Sequence, residues 1–302
     1  MIVIIYLIVT IVFFIAHSSP YDPVQQILQQ KYSAGAAERL RHEFGLDQPL
    51  WKQYLNYVGG LLHGNFGYSE SLSTQGQPVW NLIRYGLPVT MKLGFYALVV
   101  ALLIGLPVGL VSALKQNSFV DHGSQSMMMI LYAVPTFVLV PICQLVFGAQ
   151  LGWFPVTGWG HGGIQGLREM VMPVTLYAAG LTGYFAKSFR SFLLEVLSQD
   201  YIRTARAKGL KHRTIIYLHA VKNTLVPLAS IVGPVVAYLI TGAFITETFF
   251  GIPGIGYITF QSIFNSDYPV IEATTVLLAA FVVVVNFLTD IFYAMVDPRV
   301  RL

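Results

Sequence analysis

The chain has 302 residues and is strongly apolar, with 55% hydrophobic, 14% aromatic and only 11% charged residues. A soluble domain carries about 25% charged residues, so this composition excludes disordered, fibrous and disulfide-rich secreted classes and favours a protein that crosses a membrane several times. The formal charge is +4, and Cys143 is the one cysteine. So few charges argue against a nucleic-acid-binding protein, and one cysteine excludes an internal disulfide framework or a multi-cysteine metal site.

Long stretches without Asp, Glu, Lys or Arg mark the candidate membrane spans. A spanning helix needs about 20 mostly apolar residues, because a charge at the bilayer centre costs roughly 2.5–3.5 kcal/mol. Buried core helices of a soluble protein are the alternative, but six such stretches in one chain favour a membrane protein. The predicted helices lie near 1–17, 88–114, 126–149, 170–194, 228–248 and 273–295.

The first predicted helix, 1–17, is short for a membrane span. A cleaved signal peptide is the other interpretation of such a segment. It would have a positively charged start and a small-x-small cleavage site, and the run from Met1 to Ala16 has neither. We therefore predict that residues 1–17 are retained as transmembrane helix 1.

The segment 18–87 is more polar and is predicted to lie outside the membrane, on the external face. It contains a predicted helix at 35–44, an aromatic helix around Trp51 to Tyr57, and a glycine-rich turn at Gly64–Gly67. Residues 88–302 are then predicted to form a five-helix transmembrane core.

The basic residues indicate how the chain is oriented. Between residues 198 and 223, six basic residues accompany a single acid, Asp200. Lys and Arg are enriched in short cytoplasmic loops, so this loop and both chain termini are predicted to be cytoplasmic.

The loop 198–227 also carries the most informative pattern. Asp200 suits a helix start, because an acid there interacts favourably with the helix dipole. Ala205 and Gly209 are four residues apart and are expected to form a small notch on one helical face, where another protein could dock. Glycine costs about 1 kcal/mol inside a helix relative to alanine, so Gly209 implies a turn or a close backbone approach. From these residues alone, a solvated basic loop is the other interpretation.

No other motif points to catalysis or to nucleotide binding by this chain. The segment Gly158–Gly163 formally matches G-x-G-x-x-G, but it joins two predicted spans and does not follow a strand. The sequence has no P-loop, and its seven histidines form no close ligand pair. Glu247 and Asp290 lie near the ends of predicted spans, which weakens the case for a proton-driven transporter. Any use of ATP therefore has to come from a partner.

The stretch Asp200–Gly209, with His219–Ala220 and Asn223–Pro227, resembles the cytoplasmic EAA loop of ABC importer permeases, in the form found in the oligopeptide/dipeptide/nickel permease family. Two departures from the general importer pattern point to that subfamily: Arg203 replaces a glutamate and Lys222 replaces a proline. Further segments resemble the same family over nearly the whole chain: Gly45–Leu50, Gly152–Pro155, Glu247–Gly256, Asp267–Val270 and Asp297–Leu302.

The resemblance implies an all-α membrane protein with six transmembrane helices, the type I ABC importer permease fold. It implies a non-catalytic subunit without a cofactor or metal of its own, working with a second homologous permease subunit, two ABC ATPase subunits that bind ATP–Mg, and an extracytoplasmic substrate-binding protein. The residues that it implies for ATPase coupling are Asp200, Arg203, Thr204, Ala205, Lys208, Gly209, His219 and Asn223.

Short peptides are the first expectation for the substrate, because relatives resembling this chain are mostly peptide systems. Nickel chelates, glutathione and sugars remain open, since the separate binding protein usually selects the substrate. A secondary transporter or channel that works without ATP is the alternative from another class.

Overall fold

The structure is a computed structural model that describes residues 2–18, 24, 28, 34–71, 73–160, 162–241 and 243–296. In these ranges the chain is helical, and its β-type pairing is limited to one isolated antiparallel bridge between Tyr68 and Pro78. The main helices, in chain order, are α1 (Ile2–His17), α2 (Ala34–Glu43), α3 (Leu50–Leu62), α4 (Val79–Leu114), α5 (Phe119–Ala133), α6 (Thr136–Cys143), α7 (Gly163–Leu197), α8 (Asp200–Ala207), α9 (Lys222–Thr241), α10 (Phe244–Phe250), α11 (Ile255–Phe264) and α12 (Tyr268–Val296).

Two segments have π-helical geometry. Gln144–Gln150 follows α6 directly, and Ile215–Val221 lies between the short helical turn His212–Thr214 and the start of α9. The helices predicted in the external segment form at Ala34–Glu43 and Leu50–Leu62. The helix α11 was not predicted, because its apolar residues fall in a stretch assigned to a loop.

The predicted single span at 126–149 is wrong in its geometry. Two helices, Phe119–Ala133 and Thr136–Gln150, meet there at an angle of 96°. Pro135 explains the break, because a proline disfavours helical geometry at the residue before it. Accordingly, Val134 is extended, with φ −78° and ψ 121°.

Several described helices are long and apolar enough to cross a membrane. Three pass that test alone, at Val79–Leu114, His212–Phe250 and Tyr268–Ile291, and the bent pair would make a fourth if it is one span. The helix α1 is apolar but has 16 residues, and α7 has 35 residues and includes the predicted span at 170–194. The chain is therefore a multi-span helical protein.

The chain divides into two compact units. The first comprises Met1–Thr90 and Pro253–Val283. Its main hydrophobic cluster joins the start of α4 to α11 and α12, so segments far apart in sequence share one core. The fully or almost fully buried members of this cluster are Val79, Ile83, Ile255, Val270 and Ala273.

The second unit comprises Met91–Ile252 and Val284–Leu302, and its centre is α7. Gly105 and Gly109 of α4 approach α7 so closely that a Cβ on Gly109 would lie 2.6 Å from the carbonyl oxygen of Ala186. Small residues four apart permit such contact between helix backbones in membrane proteins. Gly183 of α7 contacts α5 in the same way, since its Cβ would lie 2.5 Å from the carbonyl oxygen of Met128.

Candidate functional site

The short helix α8 in the predicted coupling loop has one buried and one exposed side. Ile202 is fully buried and Ala205 is 8% exposed. They are three residues apart, hence on one face, and α8 contacts the π-helical segment Ile215–Val221. The other predicted coupling residues of this helix and its end are exposed: Asp200, Arg203, Thr204, Lys208 and Gly209.

Charged side chains on the exposed side of α8 make only a weak, solvent-exposed contact within the chain. Nη1 of Arg203 donates to Oδ1 of Asp200 at 3.3 Å, with the two side chains 74% and 95% exposed. An ion pair this exposed contributes little to stability, and both side chains remain accessible to solvent.

The predicted notch formed by Ala205 and Gly209 is wrong, because the helix ends at Ala207. Gly209 lies beyond the helix with φ +73°, and a Cβ there would meet nothing within 4 Å. The N–H of Leu210 donates to the carbonyl of Ala205 at 3.3 Å, and the N–H of Gly209 donates to that of Arg206 at 3.0 Å. This pattern is a glycine-dependent helix end, so Gly209 sets the direction in which the chain leaves α8.

His219 and Asn223 lie on the chain that returns past α8. Nδ2 of Asn223 donates to the carbonyl of His219 at 2.8 Å and to the hydroxyl of Tyr201 on α8 at 3.1 Å. Asn223 therefore ties α8 to the segment that leads into α9. The structure brings the predicted residues, except the buried Ala205, onto one surface, hereafter the α8 surface, made of the exposed side of α8, Lys208, Gly209, His219 and Asn223.

A buried ion pair, which the sequence analysis missed, lies further up α7. Arg190 binds Asp121 at the start of α5, and the carboxylate also accepts hydrogen bonds from the hydroxyl of Ser112 and the N–H of Asn117. Only two residues separate α7 from α8. The Arg190–Asp121 pair therefore joins α5 to the helix that leads directly into α8. The available signal was a cation within a predicted apolar span.

A second polar cluster lies in the first unit. Asp267, 1% exposed, accepts hydrogen bonds from the hydroxyl of Ser69 and from the N–H groups of Glu70 and Ser71. Burial raises the pKa of Asp267, while these hydrogen bonds counteract the shift. The carboxylate therefore holds the loop around residues 69–71 against the start of α12.

Glu70, which is partly buried near Asp267, has an unusual protonation equilibrium. Burial, and then the nearby acids Asp267 and Glu272, raise the pKa of Glu70 to about 8, and His17 partly offsets this. A carboxyl in this environment is mostly protonated at neutral pH. Among the described residues no group of three or more His, Cys, Asp or Glu is arranged to hold a metal ion.

The several long apolar helices define a polytopic membrane protein, and its short helix α8 carries an exposed, charged side. Residues 105–302 match the family described as the binding-protein-dependent transport system inner membrane component, and residues 1–94 match its N-terminal family. The chain belongs to this family of transporter membrane components.

Relatives with curated names agree over nearly the full length. The chain is 38% identical to the dipeptide transport system permease protein DppB of Lactococcus lactis subsp. cremoris, covering 98% of this chain and 95% of the relative. It is 37% identical to the oligopeptide transport system permease protein AppB of Bacillus subtilis, covering 96% and 92%.

Solved structures support the fold. The chain is similar to a chain of the inward-facing MetNI methionine ABC transporter, with a TM-score of 0.60 at 19% identity, covering 72% of this chain and 96% of that one. It also resembles a chain of an amino acid ABC transporter solved with histidines, with a TM-score of 0.52 at 17% identity, covering 73% and 94%. The architecture is therefore that of ABC importer permeases.

Proposed function

We propose that this chain is the permease subunit of an ATP-driven importer and forms part of the pathway for short peptides. The observation that carries the proposal is the agreement over nearly the whole chain with relatives named as dipeptide and oligopeptide permeases. The substrates named for these relatives favour peptides over nickel chelates, glutathione or sugars.

The proposed topology has six spans, with 18–87 external and both termini cytoplasmic. Its support is the concentration of basic residues between 198 and 223. In this topology α1 and α7 cross the membrane in addition to the long apolar helices, and the α8 surface faces the cytoplasm.

The proposed role of the α8 surface is to receive the movement of an ATPase subunit. Two buried residues, Ile202 and Ala205, anchor α8, while its charged side is left to solvent. A short helix that is anchored on one side and exposed on the other can transmit a displacement only if the partner contacts it differently in its two states. ATP–Mg would be bound by the two ATPase subunits, and this chain would hold no cofactor.

The proposed assembly contains a second homologous permease subunit, two ABC ATPases and an extracytoplasmic substrate-binding protein. The family description, which specifies binding-protein dependence, supports the last of these. In such an assembly the two permeases line the pathway together, and ATP hydrolysis takes place only in the ATPase subunits.

Transport in proteoliposomes tests the proposal. The reconstituted complex should accumulate a labelled dipeptide when ATP is available to the ATPase subunits and the binding protein is present, and should fail without either. Accumulation driven by an ion gradient without ATP would contradict it in favour of a secondary transporter. Uptake of a nickel chelate or glutathione in place of peptides would agree with the proposed importer function but contradict the proposed peptide substrate.

A further inference from the structure

A cavity of about 360 Å³ lies in the first unit, bounded by α1, α3, the loop after α3 and the start of α12. Acidic and aromatic side chains line it together. The acids are Glu70 and Glu272, and the aromatic rings belong to Phe13, Phe44, Tyr57, Phe66 and Tyr268.

Polar atoms on the cavity wall lack the partners that buried groups normally have. Glu272 is 4% exposed, and its Oε1 is buried without a hydrogen bond in the described chain. The hydroxyl of Tyr57 is also buried without a hydrogen-bond partner among the described residues. Leaving such groups unsatisfied costs about 1–3 kcal/mol each, so these two oxygen atoms need a donor from outside the described chain, either a water molecule or a ligand.

His17 is an ion-pair partner of Glu272 only when its imidazole is protonated, and it leaves Oε1 of Glu272 without a hydrogen bond. Nδ1 of His17 lies 3.4 Å from Oε1 of Glu272 and 3.0 Å from the carbonyl oxygen of Phe13. A proton on Nδ1 therefore has the carbonyl as its better-placed acceptor. Because Glu70 adds a second carboxyl, the cavity has more acidic than basic groups.

We propose that this cavity binds the amino-terminal ammonium group of a short peptide. An ammonium supplies three donors and a positive charge, which match two carboxyl groups and a phenol oxygen. Its charge also favours the ionised form of Glu70 over the protonated form that prevails without a ligand. Aromatic ring faces also attract such a cation, at about 0.5–2 kcal/mol for each contact. A bare metal ion fits less well, because no metal-binding cluster exists in the described ranges and the cavity is far larger than one ion.

The remaining lining residues suit the rest of a peptide. The side-chain amides of Gln53, Asn56 and Asn65 border the cavity. Nε2 of Gln53, Nδ2 of Asn56 and Oδ1 of Asn65 already make internal hydrogen bonds, which leaves the other amide atom of each side chain to pair with peptide N–H and C=O groups. The aromatic walls can bury an apolar side chain of the peptide. This inference rests on the proposed peptide-transport function and adds to it a peptide-binding site in the first unit, whereas the α8 surface is proposed to contact an ATPase subunit.

Binding to the membrane complex, assembled with its partner subunits in nanodiscs but without the substrate-binding protein, tests the inference. The probes are glycyl-leucine, N-acetyl-glycyl-leucine, and sodium and magnesium chloride, followed by saturation-transfer NMR. Glycyl-leucine should bind, and acetylation should weaken binding at least about tenfold, the loss expected when a charge-assisted hydrogen bond is removed. Equal binding of the two peptides, binding of the metal ions alone, or no binding of glycyl-leucine would each overturn the inference.

Variants locate the binding. Glu272→Gln and Glu70→Gln should each weaken glycyl-leucine binding about tenfold, and Tyr57→Phe, which removes one oxygen and keeps the ring, should weaken it severalfold. The matched control is Glu38→Gln, an exposed carboxyl on α2 outside the cavity, which should bind as the wild type does. If glycyl-leucine binds all variants equally, the site lies elsewhere and the inference is wrong.

The two proposals fail in different ways. If the wild-type complex shows no ATP-dependent peptide uptake, the proposed function itself is wrong. If uptake is normal but substitution of Glu70, Glu272 or Tyr57 leaves the binding of free-amino peptides unchanged, only the cavity assignment is wrong. Partner subunits that copurify with each variant show that a loss of binding is not a loss of folding.

Discussion

The guanidinium of Arg190 binds the carboxylate of Asp121 through two hydrogen bonds, Nε to Oδ1 at 2.8 Å and Nη2 to Oδ2 at 2.7 Å. The Asp121 side chain is 1% exposed and that of Arg190 is 24% exposed. The paired geometry fixes the orientation of both groups, so α5 and α7 are joined by a rigid contact close to where α7 leads into α8.

Removing the cation from this pair should destabilise the protein strongly. Arg190→Ala leaves the Asp121 charge buried and only partly satisfied by hydrogen bonds, and a broken buried pair typically costs about 3–5 kcal/mol. Thermal unfolding of the purified chain in detergent measures the loss. The matched control is Arg203→Ala, whose exposed pair with Asp200 should contribute about 0–1 kcal/mol. Similar losses for the two variants would contradict the structural role of Arg190.

Close helix packing at Gly109 should not tolerate even one methyl group. In Gly109→Ala the new Cβ would lie 2.6 Å from the carbonyl oxygen of Ala186, so α4 and α7 must move apart. We expect a loss of about 1–3 kcal/mol in unfolding free energy, typical of overpacking. Gly180→Ala on α7 is the control, because its Cβ would have ordinary contacts, the nearest atom being 3.9 Å away. An unchanged melting temperature in Gly109→Ala would show that the two backbones are not in contact.

Gly209 should be needed for coupling because of its backbone conformation. At φ +73° an alanine is strained by roughly 1–2 kcal/mol, although its Cβ would meet nothing, so Gly209→Ala should redirect the chain after α8. We expect reduced peptide uptake and reduced transport-coupled ATP hydrolysis in proteoliposomes, with normal membrane insertion.

Two further substitutions at this position separate strain from charge. Gly209→Asn should retain more uptake than Gly209→Ala, because asparagine tolerates positive φ better than alanine. Gly209→Glu adds a negative charge to the basic α8 surface as well as strain, and should abolish coupled hydrolysis. Uptake at the wild-type rate in Gly209→Glu would contradict the coupling role of the α8 surface.

The stability of the chain should depend on pH through Glu70. Its pKa is raised from 4.5 to about 8 on folding, so its contribution to stability is complete below about pH 4.5 and is lost as pH rises through 8. The charges of Asp267 and Glu272 add to the rise in the pKa of Glu70, and the charge of His17 lowers it. The melting temperature of the wild type should therefore fall between pH 5 and pH 9.

The neutral variant Glu70→Gln isolates this contribution. It should have a flatter melting-temperature profile over the same pH range, since the amide does not titrate. Glu38→Gln removes an exposed carboxyl and should keep the wild-type profile. If Glu70→Gln and the wild type lose stability in parallel, the raised pKa of Glu70 is wrong.

Several local predictions depended on short-range chemistry and agree with the structure. The helices at Ala34–Glu43 and Leu50–Leu62 follow from local composition. The turn implied by Gly209 follows from glycine's freedom at positive φ. The shared face of Ala205 and Gly209 is wrong, because four-residue spacing predicts a common face only if the helix continues through both positions.

The sequence by itself determined that the chain is a multi-span helical membrane protein of a recognisable transporter family, because lipid requires long uncharged helices and the loop motif is local. Only the tertiary structure decided which distant residues meet: Arg190 with Asp121, Ser69 with Asp267, and the acids and aromatic rings around the cavity. Arg190 and Asp121 are 69 residues apart in the sequence, and Ser69 and Asp267 are 198 residues apart. Hydropathy and spacing within one element carry no information about such pairs, since the free energy that forms them comes from packing and burial between elements.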